Sequence, residues 1–297
     1  MKTQIDSPVA DRIAVLLSCY NRRNITLTCL KSLYQQSIPF EVYLVDDGST
    51  DGTSDAIRNL FPDVNLIQGN GNLYWVGAMR LAFERAIAQN HSFYLWLNDD
   101  TLLESDALTR LMQTYTQVRP DSILVGSTYD RRTKAPTYGG AIRSRAWYSN
   151  KFEFVGSVSA LKACDTFYGN CVLIPKVVVD RVGNLDPALV HNFGDLDYGL
   201  RAKQQGCAIW TMPGFIGSCS QNSVVGSWVD PKLSLIERLK KVTQVKNFPI
   251  RPWTVFCQRH SGMFWFLYWF LPYIRAAIGY RNLSASPTFC ADLDQTH

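Results

Sequence analysis

The chain has 297 residues, 46% of them hydrophobic and 19% charged, with a formal net charge of +5. Those values fit one large α/β domain or two small ones and exclude a disordered chain. The positive charge is uneven: from Pro231 to the end there are nine Lys/Arg and three Asp/Glu, so the rest is close to neutral.

The apolar run Ile13 to Leu17 predicts a buried strand, and "SCYNRRN" a loop. Apolar residues at helical spacing from Ile25 to Gln36 predict a helix. Val42 to Val45 reads as a strand and Asp46 to Gly52 as a turn, with Thr53 or Ser54 capping a helix to Leu60. A strand over Asn65 to Gln68, a helix over Trp75 to Gln89 and a strand over Phe93 to Leu97 follow. Short loops between alternating strands and helices predict a parallel sheet covered on both faces. Next come a helix from Glu104 to Val118 and a strand from Ser122 to Ser127. Residues 129 to 150 read as loop or hairpin. "FYGNCVLIPKVVVDRVG" reads as a strand, a helix started by proline and a stop. Asp195 to Gln205 predicts a helix ended by Gly206, and Ala208 to Met212 a strand.

In an open parallel sheet, ligands gather at the carboxyl ends of the strands. Three such ends carry unusual chemistry. The first offers Ser18, Tyr20, Asn21 and Arg22. The second offers Asp46, Asp47 and Gly48. The fourth, in "LWLNDDTLL", offers Asn98, Asp99 and Asp100. Each acidic group has a plain reading: turn chemistry for "VDDGSTDGT", and helix-dipole matching for "NDDT". Their recurrence at two ends of one sheet points instead to a hard divalent ion, Mg2+ or Mn2+, carrying phosphates. That ion is the expected positive partner of the adjacent carboxylates Asp99 and Asp100. "GNGNLYWVG" fails the dinucleotide pattern because Tyr74 replaces the third glycine, and no P-loop motif exists. Phosphates are therefore expected to be held by metal and by arginine. Asn72, Tyr74 and Trp75, which lead from the third strand into a helix, are expected to border a donor sugar; the alternative for Tyr74 and Trp75 is core packing. A third acidic group, Asp195 and Asp197 in "NFGDLDYGLRAKQQG", reads either as first-turn dipole matching or as a general base facing the cleft.

The motifs "SCYNR", "YLVDDGSTDGT", "WLNDD" and "GDLDYGLRAKQQG", in that order, resemble family 2 inverting glycosyltransferases of the GT-A fold, rhamnosyltransferase-like members in particular. The resemblance covers about Ile13 to Cys219. It implies an α/β GT-A (Rossmann-like) catalytic domain with a mixed central sheet over 13–230, divided into a nucleotide-sugar half (13–101) and an acceptor half (102–230). A helical C-terminal extension, 231–297, is expected to follow. Ser18, Tyr20, Arg22, Asp47 and Gly48 would then bind nucleotide, with Ser18 and Tyr20 lining the base pocket and Asp47 bonded to the base. Asp99 and Asp100 match the Asp-x-Asp metal site. Asn98 stands where many members carry the first Asp, which makes Asp100 the expected direct ligand. Asp195 matches the catalytic Asp, Asp197 is the alternative base, and Gly194 replaces the usual Glu. The implied reaction is one displacement at the anomeric carbon of a nucleoside-diphosphate sugar by an acceptor hydroxyl. A surface polysaccharide or glycolipid product is expected.

Three other readings compete. A nucleotidyltransferase wants a Gly-rich signature after the first strand, and "SCYNRR" lacks it. A catalytically inactive nucleotide-sugar-binding scaffold finds support only in Asn98 and Gly194. Nucleic-acid binding is disfavoured because the tail's aromatics form a block apart from its basic residues. That block, "GMFWFLYWFLPYI" over Gly262 to Ile274, is too short to span a bilayer and is closed by Arg275. Beside it lies "IERLKKVTQVKNFPIRPW". The pair predicts a segment in the membrane interface, with packing on the catalytic domain or a homodimer contact as alternatives. The eight cysteines form no Cys-x-x-Cys pair, and the N-terminus lacks an apolar signal core, so reduced thiols are expected. The expected location is the cytoplasm or the inner face of the cell membrane. The expected partners are a nucleotide-sugar donor and a saccharide or lipid-linked acceptor, with no nucleic acid.

Overall fold

The computed structural model describes residues 12–144, 151–220, 228, 230 and 232–278. In chain order the elements are β1 (Ile13–Cys19), α1 (Arg23–Leu33), β2 (Phe40–Asp46), α2 (Thr53–Leu60), β3 (Asn65–Gln68), α3 (Tyr74–Ile87), β4 (Phe93–Leu97), β5 (Leu102–Leu103), α4 (Ala107–Tyr115) and β6 (Ser122–Tyr129). There follow β7 (Gly140–Arg143), β8 (Phe152–Val155), β9 (Lys162–Ala163), β10 (Thr166–Phe167), β11 (Cys171–Pro175), α5 (Lys176–Val182), α6 (Gly194–Gln204), β12 (Ala208–Ser218), α7 (Leu235–Val242), α8 (Ile250–His260) and α9 (Trp265–Ile278).

The main sheet runs β3-β2-β1-β4-β11-β6-β12-β5, with β9 paired to β12. β1, β2, β3 and β4 are mutually parallel, so their carboxyl ends share one edge. The parallel sheet read from the strand–helix alternation is this β1–β4 part; beyond it the sheet is mixed, as the resemblance implies, with β11 antiparallel between β4 and β6. Of a second sheet, β10-β7-β8, β7 falls within the stretch read as loop or hairpin and β8 and β10 follow it; residues 145–150 of that stretch lie outside the described residues. Side-chain alternation along the buried strands makes two cores. Ala14, Leu16, Tyr94 and Trp96 face one of them, and Ile13, Val15, Leu17, Leu95 and Leu97 the other. The helix read from Glu104 is shorter, since Leu102 and Leu103 pair with the end of β12 first. α2 starts after Gly52 in the left-handed region, and Thr53 turns its hydroxyl to Asp51 rather than capping.

The C-terminal helices share the first core: Val242, Phe248, Trp253, Phe256, Cys257, Tyr268 and Ala276 are buried in it. α9 does not stop at Arg275 but continues to Ile278, with Pro272 inside it.

Candidate active site

At the end of β1 the chain turns through Asn21 at φ 50°. The Asn21 amide N–H donates to Ser49 Oγ, and its Oδ1 accepts from the Thr50 N–H, both at 2.8 Å. These bonds tie the β1 loop to the β2 loop, with Ser18 half-buried and Tyr20 exposed beside them. Arg22 reaches the other way, to the β4 loop. Its Nη1 donates to Asp99 Oδ1 at 2.7 Å and its Nη2 to Asp100 Oδ2 at 3.0 Å. The positive partner of the two adjacent carboxylates is thus a side chain of this protein. Asp99 is buried and also accepts from Thr26 Oγ1 at 3.0 Å. Burial pushes its carboxyl up to about 7, against the pull of Arg22 and Thr26. The Asp100 side chain is 21% exposed and accepts from the Cys219 thiol at 3.4 Å. Burial drives that thiol well above the usual cysteine range, so it stays a protonated donor. The buried Nε of Arg22 has no acceptor among the described residues.

Asp47 serves the next loop. Its Oδ1 accepts from the Gly71 N–H, and its Oδ2 from those of Leu73 and Tyr74, each at 2.9 Å. The carboxylate expected at a nucleotide base therefore fastens the strip that carries Asn72, Tyr74 and Trp75. Gly48 has a φ of 84°, and a Cβ there would sit 3.0 Å from Gly71 N, so the turn needs a residue without one. Asn72 is exposed, and its side-chain amide reaches only the Asn70 carbonyl, at 3.4 Å.

Tyr74 is exposed at φ 53°, with its ring edge-on to His191. Trp75 points inward. Its Nε1 donates to Asn98 Oδ1 at 2.9 Å, and its ring meets Trp96 edge-on. The same ring covers Gly169, where a Cβ would lie 2.9 Å from it. The Gly169 N–H donates to Asp195 Oδ2 at 3.0 Å, and the Leu196 N–H to Asp195 Oδ1 at 2.8 Å. One tryptophan therefore links the acidic loop after β4 to Asp195 at the start of α6. Burial raises the Asp195 carboxyl above its ordinary value, with the backbone donors opposing. His191 accepts from the Trp75 N–H at 3.4 Å; burial, then the charge of Lys246, holds its pKa down to about 4, so it is neutral.

Asp197 lies elsewhere. It is fully buried and bonded to Arg201 at 2.8 Å, to His260 at 2.8 Å and to Arg259. Arg259 also pairs with Asp186. Burial opposes its charge, but His260, Arg201 and Arg259 prevail and hold its carboxyl below the ordinary value. Burial also lowers His260 against the pull of Asp197. A neutral His260 leaves two carboxylates facing two guanidiniums. This cluster joins α6 to α8 and leaves no oxygen of Asp197 directed at the cleft. Its partners Arg259 and His260 lie beyond the sequence motifs and carried no signal of their own. At Gly194, where the resembled family carries Glu, a Cβ would come within 2.5 Å of Val76 Cγ2. Phe193, at φ 68°, is gripped by Phe248, Trp253 and Phe256.

Among the described residues no three His, Cys, Asp or Glu side chains converge as a metal cage. The donor set fits the other kind of divalent site, in which one or two carboxylates hold an ion that keeps its phosphates and waters. Asp100 is the more open of the two carboxylates on this loop, and Asp99 lies buried behind it.

The model of the family described as "Glycosyl transferase family 2" matches residues 14–183. No curated protein matches the chain. Among solved structures, the mannosyltransferase PcManGT of Pyrobaculum calidifontis, in complex with GDP-Man and Mn2+, is similar at 17% identity and a TM-score of 0.52. That match covers 90% of this chain and 73% of the other. TarS residues 1–349 of S. aureus is similar at 14% identity and a TM-score of 0.53, covering 90% and 81%. GalNAc-T7 with UDP, GalNAc and Mn2+ is similar at 13% identity and a TM-score of 0.56; the match covers 70% of this chain and 43% of that one. The fold is GT-A, with a mostly parallel central sheet and helices at the C-terminus. With more than half of its length matched by the family model, the chain belongs to glycosyl transferase family 2.

Proposed function

We propose that this protein is an inverting glycosyltransferase that moves a hexosyl or deoxyhexosyl group from a nucleoside-diphosphate sugar to a hydroxyl of a saccharide or lipid-linked acceptor. The setting proposed is surface polysaccharide or glycolipid synthesis. The observation that carries the reading is the Asn98–Trp75–Gly169–Asp195 connection, which puts a carboxylate with a raised pKa across one aromatic floor from the acidic loop.

In this reading Asp195 accepts the proton of the acceptor hydroxyl as its oxygen attacks the anomeric carbon. Each oxygen of Asp195 already takes one backbone N–H, which fixes the carboxylate and leaves lone pairs for that proton. Asn72, Tyr74 and Trp75 border the sugar. Ser18, Tyr20 and Gly48 line the nucleotide side, and Asp47 shapes it by holding the loop from Gly71 to Tyr74. Arg22 leaves the two carboxylates and turns its planar fork to the diphosphate. Its Nε–H, unpaired among the described residues, gains an acceptor in that move. A Mg2+ or Mn2+ ion on Asp100, with Asp99 behind it, would supply charge stabilisation for the leaving diphosphate. PcManGT and GalNAc-T7, each in complex with Mn2+, support that assignment.

The test is release of nucleoside diphosphate from a panel of nucleotide sugars with Mn2+ and candidate acceptors. Turnover that disappears in Asp195→Asn, with nucleotide affinity kept, supports the transferase. Tight binding of a nucleotide sugar without turnover on any acceptor supports the scaffold reading instead.

A further inference from the structure

α9 is apolar all round. Its inner side is locked down: Trp253 Nε1 donates to the Trp269 carbonyl at 3.1 Å, Trp269 Nε1 to Thr254 Oγ1 at 2.7 Å, and the Tyr273 hydroxyl to the Phe248 carbonyl at 2.8 Å. Its outer side carries Phe266, Leu267, Phe270, Leu271, Ile274 and Ile278, which are between 39% and 79% exposed. Their spacing of three and four residues aligns them along one face for the whole helix. Water is a poor neighbour for such a stripe, and scattered exposed apolar residues do not account for it. α9 has 14 residues, or about 21 Å of helix, against about 30 Å of bilayer hydrocarbon. No described helix is long and apolar enough to cross a membrane.

We propose that this face lies in the surface of an anionic lipid bilayer. Charge is what selects that occupant. From Lys232 to Arg275 there are eight Lys/Arg, of which Arg259 is held in the Asp197 cluster, and a single acid, Glu237, which closes the capping box of α7 on Ser234. α7, with Arg238, Lys240 and Lys241, is tied to α9 by the bond from Arg238 Nε to the Ala276 carbonyl. α7 adds the exposed Leu235 and Ile236, and Arg251 is exposed at the start of α8. Arg275 stands within the stripe itself, between Ile274 and Ile278. An arginine there can extend its guanidinium to lipid phosphates while its stem stays among apolar groups. In a two-fold contact between copies of this chain, the same basic residues would confront themselves or each other. The cluster at Asp197 fixes α8 to α6, so a bilayer under α9 would hold the cleft at a set angle to the lipid surface. The membrane assignment does not depend on the transfer reaction.

The experiment is co-sedimentation of the full chain with vesicles of phosphatidylglycerol and phosphatidylcholine, or of phosphatidylcholine alone. Binding to the anionic vesicles at low salt, weaker at high salt and weaker still to the neutral ones, is expected. Phe266→Glu/Phe270→Glu should lower partitioning by roughly 10²-fold, because two large side chains lose their apolar environment. Its melting temperature should match the parent's, since both residues point outward. Arg275→Glu should weaken binding to anionic vesicles alone. A parent chain that stays in the supernatant with every vesicle overturns the proposal. So does a chain that forms dimers which Phe266→Glu/Phe270→Glu dissociates and that shows no vesicle binding; a second copy then covers the stripe.

Discussion

Arg22 Nη2 donates to Asp100 Oδ2 at 3.0 Å, so the guanidinium sits on the carboxylate proposed to hold a divalent ion. If that proposal holds, cation and arginine compete for the Asp100 carboxylate. Arg22→Gln should therefore raise the affinity of the nucleotide-free protein for Mn2+, by roughly 10-fold if one close charge contact is relieved. It should weaken binding of a nucleoside diphosphate over the same series. Calorimetry of each ligand alone reads both changes, and an unchanged Mn2+ affinity would show that Arg22 does not compete with the ion.

The two adjacent carboxylates should separate by experiment. Asp100→Asn should abolish metal-dependent binding of nucleoside diphosphate and leave the melting temperature nearly unchanged. Asp99→Ala strips Thr26 and Arg22 of an acceptor in a buried setting and should cost about 1–3 kcal/mol of stability. Denaturant unfolding of both variants beside nucleotide titrations checks the division of labour.

Asp195→Asn should lower turnover by roughly 10²-fold to 10⁴-fold, the range for a lost general base. A base works only when deprotonated. Because burial raises this carboxyl, the acid limb of kcat/KM should lie above the pH expected of an ordinary aspartate, with activity lost as pH falls through it. A pH profile taken at fixed Mn2+ reads this directly. A flat acid side would move the proton transfer to another group.

Asp197 makes the opposite prediction. Its pKa is depressed in the folded chain, so it contributes stability above the unfolded value, and that contribution is lost as pH falls through the folded value. Asp197→Ala leaves Arg201 and Arg259 unpaired in a buried cluster and should cost about 3–5 kcal/mol. If it folds, it should bind nucleotide like the parent.

Gly194→Ala should be destabilising by about 1–3 kcal/mol, since the new methyl meets Val76. Val76→Ala in the same chain should recover most of that loss, because the two side chains share one space. Equal losses in the presence and absence of Val76→Ala would place the strain elsewhere.

The parallel part of the sheet was legible because β1, β2 and β4 carry buried apolar runs and the helices between them keep their period. β11 was not. Nothing in "CVLIP" distinguishes an antiparallel neighbour, since direction is decided by where the preceding loops bring the strand. The loops that carry Asp47, Asp99 and Asp195 could be found from their acidic residues at element ends. What each carboxylate touches could not. Asp47 meets three backbone N–H groups, donors that every sequence has, and Arg22 meets Asp99 across 77 positions. Asp195 and Asp197 look equivalent in the sequence. They part because two residues make about half a helical turn, which sends the first toward Gly169 and the second toward Arg259, 62 positions further on. The aromatic tail invited a choice between core and surface, and its helix takes both, one on each side.

The ion cluster at Asp197 also sets an order of events during synthesis. α6 emerges well before α8, and until Arg259 and His260 arrive its second aspartate has only Arg201 for a partner in a site built to be dry. Phe193 waits in the same way for Phe248, Trp253 and Phe256. The segment that carries the proposed base is thus completed by helices made after it, and a growing chain cannot fix α6 in its final setting until α8 has emerged.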